Sequence, residues 1–184
     1  MTTRGRFDAV TITLHWLTLT LFVPLISSVL LLGSGSGLDA SLLLDIHRGT
    51  GATLFAVTLG RLCWRQWFAR LPPFPEKMWR VHRGITTGSE YALYALLLAQ
   101  PLTGLAMTVF RGRPFNLIAW QVPALIARDK ELAAWFHGVH QTSAYLLLAL
   151  IGGHATAALI HHFVLKDDIL TAMLPLGPST TNRG

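Results

Sequence analysis

The sequence predicts an all-α integral membrane protein: a four-helix bundle with both termini in the cytoplasm. Three observations lead there. Mean hydropathy is +0.47 with only 13% charged residues. Three charge-free runs are each long enough to cross a bilayer. Histidines lie inside or at the edges of those apolar stretches. A soluble domain of 184 residues would need far more polar surface than this. A single transmembrane domain spanning residues 1–184 is expected.

The first helix is predicted over 9–32, where Ala9 to Leu32 has no formal charge over 24 residues. Arg4 and Arg6 precede it as they would a signal peptide, but the run is too long for an h-region and reads as a membrane anchor. The second, over 41–64, is interrupted by Asp45, Arg48 and Arg61, leaving only Gly49 to Gly60 charge-free between the two arginines. It is retained because arginines near helix ends can snorkel and because an even number of crossings fits the charge distribution. The third is predicted over 89–110, with Tyr91 to Phe110 charge-free and Pro101 expected to kink it. The fourth, over 132–165, has no charge from Leu132 to Leu165. Between the last two, Phe115 to Ile126 is apolar but too short to span, and Pro114 and Pro123 break it; it is expected to cap the outer surface.

Lysine and arginine set the orientation. Arg4, Arg6, Arg61, Arg65, Arg70, Lys77, Arg80, Arg83, Lys166 and Arg183 fall on one side, and Arg48, Arg111, Arg113, Arg128 and Lys130 on the other. The richer side holds both termini and is expected to be cytoplasmic. The basic pI near 10.3 is then membrane topology, with no nucleic acid needed to explain it. Cys63 is the only cysteine, which excludes an internal disulfide and a C-x-x-C-H haem attachment.

On this frame His15 lies near the cytoplasmic start of the first helix and His47 near the outer start of the second. His140 and His154 share the fourth helix fourteen residues apart, about 21 Å along the axis and only about 40° around it. Depth pairs His15 with His154 and His47 with His140. Intramembrane histidines are costly and mark function, and two stacked bis-histidine sites suit two b-type haems. His137 is the alternative to His140, but it lies about 100° from the His154 face. Small residues one turn beyond the ligands (Gly51, Ala144 and Ala158) leave room for a flat macrocycle or for plain helix packing. Arg48, Arg61, Arg111 and Arg113 are candidate propionate partners, with lipid headgroup contact the equal alternative.

His15-Trp16, His47-Arg48-Gly49-Thr50-Gly51, Pro101-Leu102-Thr103-Gly104, Arg111-Gly112-x-Pro114 and the run from His140 through His154 to His161-His162 and Asp167 carry a resemblance. With the Met173-Leu174-Pro175 ending, they resemble the bacterial cytochrome b561 family over nearly the whole chain. The resemblance implies a multi-pass cytochrome of the bacterial inner membrane that holds two haem b groups and exchanges electrons with the quinone pool. It implies His15, His47, His140 and His154 as the axial ligands. Some members oxidise superoxide on the outer face and pass the electron to ubiquinone. One departure is Glu90, where a histidine is expected near the start of the third helix.

Arg48, Arg111, Arg113, Arg128 and Lys130 would concentrate an anion such as superoxide on the outer side; propionate neutralisation accounts for the same residues without a substrate. Two other readings fit the histidines. One is an anchor subunit relaying electrons for a hydrogenase or dehydrogenase, with a soluble redox partner. The other is a haem-free proton-coupled transporter, although a relay gives no reason to set four histidines two by two at equal depths. His161 is expected as an interfacial residue or propionate partner, and His82 and His162 as solvent or headgroup contacts. For Glu90, a salt bridge to an arginine such as Arg61 or Arg83 stands beside a proton relay. Trp16, Trp64, Trp79, Trp120 and Trp135 are expected in an aromatic belt at the membrane boundaries.

Overall fold

A computed structural model describes residues 5–72 and 80–175; the readings placed on Arg4, Lys77, Trp79 and Arg183 lie outside the described residues. Four long helices account for most of the chain: α1 (Ala9–Gly33), α2 (Ala40–Trp67), α3 (Arg80–Phe110) and α4 (Lys130–Phe163). A two-stranded hairpin, β1 (Phe115–Leu117) with β2 (Trp120–Val122), sits between α3 and α4, and one 3₁₀ turn (Thr171–Met173) follows α4.

Three of the helices begin on an aspartate whose carboxylate takes up otherwise orphaned backbone N–H groups. Asp8 accepts from the Thr11 amide at 2.9 Å, Asp39 from Ser41 at 2.8 Å, and Asp129 from Glu131 and Leu132 at 3.0 Å each. Residues of left-handed backbone follow α1 and α3: Gly35 and Gly37 after the first, and Gly112 (φ 63°) after the second. At Gly112 the constraint is also steric, because a Cβ there would lie 2.6 Å from the Arg128 nitrogen. The crossing closes the whole hairpin loop, with the Asp129 amide donating to Phe110 O at 3.0 Å.

Two sequence expectations change in detail. Helix α3 starts at Arg80, nine residues before 89, since Arg80 and Arg83 do not stop a helix that extends past the apolar span. The segment after α3, expected as a short apolar cap, forms an antiparallel hairpin registered Phe115↔Val122, Asn116↔Gln121 and Leu117↔Trp120. The architecture is therefore helical, with one small β hairpin in the connection between α3 and α4.

Helices α1, α3 and α4 are long and apolar enough to cross a membrane. Helix α2 is continuous over its 28 residues but more polar. Packing is extensive between α1 and α2, between α3 and α4, and between α2 and α3, while α1 and α4 have no comparable contact. The outward faces are apolar and exposed, for example Val23 at 65%, Leu30 at 66% and Leu146 at 57%. That is the inverse of a soluble bundle and is expected where lipid replaces water.

The buried core is a layer of Leu54, Leu97 and Leu147, one from each of α2, α3 and α4, with Leu21, Phe22 and Leu25 of α1 against it. Buried threonines are satisfied within their own helices: Thr18 donates to Leu14 O, Thr58 to Leu54 O and Thr108 to Gly104 O. Both ends of the described chain meet at one end of the bundle. Arg6 donates to the Leu174 carbonyl at 2.7 Å and Trp16 to Met173 O at 2.8 Å. At the same end Trp64, late in α2, donates to Asp8 at 2.9 Å.

Candidate functional site

Four histidines form two pairs. At the hairpin end His47 of α2 faces His140 of α4 with ring centres 6.2 Å apart. At the end where the termini meet, His15 of α1 faces His154 of α4 at 6.4 Å. An imidazole nitrogen binds a transition metal at about 2 Å. It lies about 1 Å from its own ring centre, so two rings on opposite sides of one metal ion have centres about 6 Å apart. Both pairs have that spacing.

The Leu54–Leu97–Leu147 layer lies between the pairs, for Leu147 is seven residues from His140 and seven from His154. Each step is about 10 Å along α4. The sites are thus separated by packed hydrocarbon, and α1 and α4, which carry one pair between them, are left without close packing of their own.

The hairpin-side rings are oriented by hydrogen bonds. His47 Nδ1 lies 3.2 Å from Leu25 O and 3.4 Å from Ser28 Oγ. Ser28 is 1% exposed, and its own hydroxyl donates back to Leu25 O at 2.8 Å. His140 Nδ1 lies 3.0 Å from Gln100 O and 3.1 Å from Thr103 Oγ1. The Thr103 hydroxyl donates within its own helix, 2.9 Å from both Ala99 O and Gln100 O. Each Nδ1 therefore meets oxygens that only accept, so the proton sits on Nδ1 and the Nε2 lone pair is free. Both anchors adjoin a proline inside a helix, Pro24 beside Leu25 and Pro101 beside Gln100. Gln100 also clamps α3 to α4, donating to His140 O at 3.2 Å and to Ser143 Oγ at 2.7 Å.

Gly104 makes room for the His140 ring, since a Cβ there would lie 3.1 Å from Cε1 and 3.3 Å from Nδ1. Gly51 has no such crowding: its Cβ would meet only Leu25 Cδ1, at 3.8 Å.

The termini-side pair is different. His15 Nδ1 and Arg61 Nε are both buried without a hydrogen-bond partner. Arg61 is within electrostatic reach of both His15 and His154, and its guanidinium lies over the Tyr94 ring at 5.3 Å. Glu90 pairs with Arg65, at 2.8 Å from Nη2 to Oε2. The sequence expectation named Arg61 or Arg83; residue 65 is instead one turn from residue 61 on the α2 face that meets α3. Orphaned buried polar atoms beside a pair of metal-spaced rings are what a bound polar or metal-bearing group would satisfy.

The candidate arginines separate. Arg61 reaches the termini-side pair. Arg48 makes an ion pair with Asp45 at 3.2 Å and lies 5.9 Å from the buried Phe115 ring, which joins the start of α2 to the hairpin. Asn116 adds a hydrogen bond to Asp45 at 2.8 Å, and Ile118 packs over Gly49, two residues from His47. Arg111 and Arg113 are exposed on the loop after α3.

Of the other histidines, His137 is exposed and lies outside the pairs. His161 Nδ1 pairs with Asp167, and its ring neighbours His82 at 6.4 Å. His162 packs edge-on to Phe163. Trp16 and Trp64 are engaged in the bonds to Met173 and Asp8, whereas Trp120 is 78% exposed and Trp135 60%. Sequence reasoning missed Ser28, Gln100, Thr103 and Gly104 as supporting residues. Thr103 and Gly104 stood within a quoted motif without a role, and a glycine inside an apolar helix was the available signal. Nothing local distinguished Ser28.

The chain is similar to known proteins over nearly its whole length. The model of the prokaryotic cytochrome b561 family matches residues 6–176. Cytochrome b561 homolog 1 of Escherichia coli (strain K12) is 30% identical over 180 residues, covering 93% of this chain and 98% of that protein. The probable superoxide oxidase CybB of Yersinia pestis is 28% identical over 170 residues, 92% and 96% of the two chains. Cytochrome b561 homolog 2 of Escherichia coli (strain K12) is 30% identical over 142 residues, 76% and 73% of the two.

Proposed function

The chain belongs to the prokaryotic cytochrome b561 family, membrane b-type cytochromes of electron transfer, and from that premise we propose that it oxidises superoxide and reduces ubiquinone across the bacterial inner membrane. Two haem b groups are assigned: one between His47 and His140, the other between His15 and His154. The observation that supports this most is the pair of ring separations, 6.2 and 6.4 Å, at two depths of one bundle. Bound b-type haem supplies reversible one-electron iron chemistry, with its potential tuned by ligation, hydrogen bonding and burial.

The protein's own residues do the rest. Four helices cross, α2 included, and the end where the termini meet faces the cytoplasm. Arg111, Arg113, Arg128 and Lys130 then lie at the outer surface, where their charge raises the encounter rate of a small anion. Arg61 at the inner site, and Arg48, Arg111 and Arg113 at the outer, are the propionate partners. The Leu54–Leu97–Leu147 layer excludes water between the sites and keeps ions from following the electron. The overall reaction balances as two superoxide anions each losing one electron to give dioxygen, while one ubiquinone takes up both electrons and two protons.

The test is a reduced-minus-oxidised spectrum of the detergent-purified protein with haem quantified per chain, followed by superoxide under anaerobic conditions with ubiquinone present. Two b-type haems that superoxide reduces, with quinol formed, are expected. Two haems indifferent to superoxide would transfer the protein to the electron-relaying anchor subunits, and a colourless protein would refute the ligand assignment.

A further inference from the structure

We propose that the hydroxyls of Ser28 and Thr103 hold the hairpin-side centre below the termini-side centre in reduction potential, so that electrons run from the hairpin end toward the end where the termini meet. The inference rests on the two-haem reading and adds a direction to it.

The argument begins with the asymmetry between the pairs. At the hairpin end each Nδ1–H is shared between a backbone carbonyl and a hydroxyl three residues further along the same helix: Leu25 with Ser28, and Gln100 with Thr103. Acceptors on the far nitrogen of a ligating imidazole increase its electron donation. Stronger donation favours the oxidised, more positive metal and lowers the potential. At the other end His15 Nδ1 is buried with no acceptor, so that ligand lacks the same support.

Fixed charge works in the same direction. At the hairpin end Arg48 is paired with Asp45 at 3.2 Å, and Arg111, Arg113, Arg128 and Lys130 are exposed, where solvent and salt screen their charge. At the termini end Arg65 pairs with Glu90, while Arg61, whose Nε has no hydrogen-bond partner, adds a positive charge beside His15 and His154. Away from water such a charge is weakly screened, and it favours the reduced state of anything bound there. Both effects place the termini-side centre higher, and an electron leaving the hairpin-side centre moves downhill to it.

Equilibrium redox titration with optical detection tests this on the purified holoprotein. Wild type is expected to show two midpoints. His154→Ala, which leaves the hairpin-side pair intact, is expected to retain the lower one. Thr103→Val and Ser28→Ala are each expected to move that midpoint upward and to leave the higher one in place, and Thr103→Ser is expected to restore it. Retention of the higher midpoint in His154→Ala, or unshifted midpoints in both hydroxyl-less variants with full haem content, would overturn the proposal. Failure of superoxide to reduce the protein would leave these potentials standing and count against the proposed substrate alone. Loss of all haem in His154→Ala would refute the pairing itself.

Discussion

Gly104 shows how tightly one residue constrains the site. A Cβ there would lie 3.1 Å from His140 Cε1, closer than side chains ordinarily approach, so Gly104→Ala should tilt the ring and Gly104→Val displace it. The expected outcome is a weakened or lost haem at the hairpin end with the other retained, measured as haem per chain. Asp8 gives a pH dependence outside the span. Burial works upward on its pKa but is outweighed by hydrogen bonds from the Thr11 hydroxyl and amide, Trp64 and the Arg70 backbone, and the carboxyl lies below its ordinary value. A depressed carboxyl contributes stability above the ordinary carboxylate range, near pH 4, and loses it as pH falls through the depressed value. Asp8→Ala should therefore cost about 1 kcal/mol as a lost N-cap at neutral pH. The difference from wild type in thermal midpoint should shrink below about pH 4.

Among the elements, the hairpin and the start of α2 form one unit. Asp45 holds Arg48 at 3.2 Å and Asn116 at 2.8 Å, while Phe115 is buried beneath them at 8% exposure. Phe115→Ala should cost about 3 kcal/mol or more if the site does not collapse, with protease sensitivity appearing first in the 111–129 loop. That pattern would distinguish local release of the hairpin from global unfolding. The α2–α3 contact at the opposite end rests partly on Arg65 and Glu90, whose bidentate pairing is partly exposed. Glu90→Gln should cost at most about 1 kcal/mol. It would also add to the positive charge beside His15 and His154, so the higher of the two midpoints should rise.

At the scale of the whole molecule, the meeting of Arg6 with Leu174 and of Trp16 with Met173 puts both ends of the described chain at one end of the bundle. An even number of crossings follows if the bundle spans the membrane. Under the proposed orientation, the positive-inside bias puts that end in the cytoplasm. A C-terminal reporter active only in the cytoplasm should be active, and one active only outside should be silent; the reverse pattern would invert the assignment of both sites. The helix pairs that carry the histidines, α1 with α4 and α2 with α4, lack the close packing seen between α1 and α2, α2 and α3, and α3 and α4.

The apolar helices and the spacing of four histidines along them were legible in the sequence, because hydropathy is additive along a chain and helical rise is fixed at about 1.5 Å per residue. The same arithmetic paired His15 with His154 and His47 with His140, the pairs that face each other. What surrounds each pair was decided by tertiary structure. Whether Glu90 meets Arg61, Arg83 or Arg65 depends on how α2 is rotated against α3. The Nδ1 bonds of His47 and His140 depend on carbonyls beside prolines in other helices. The hairpin forms where Gly112 lets the chain cross Arg128. Periodicity fixes position along and around a single helix. Hydrogen bonds between helices require their separation and relative rotation, which only the packed bundle supplies.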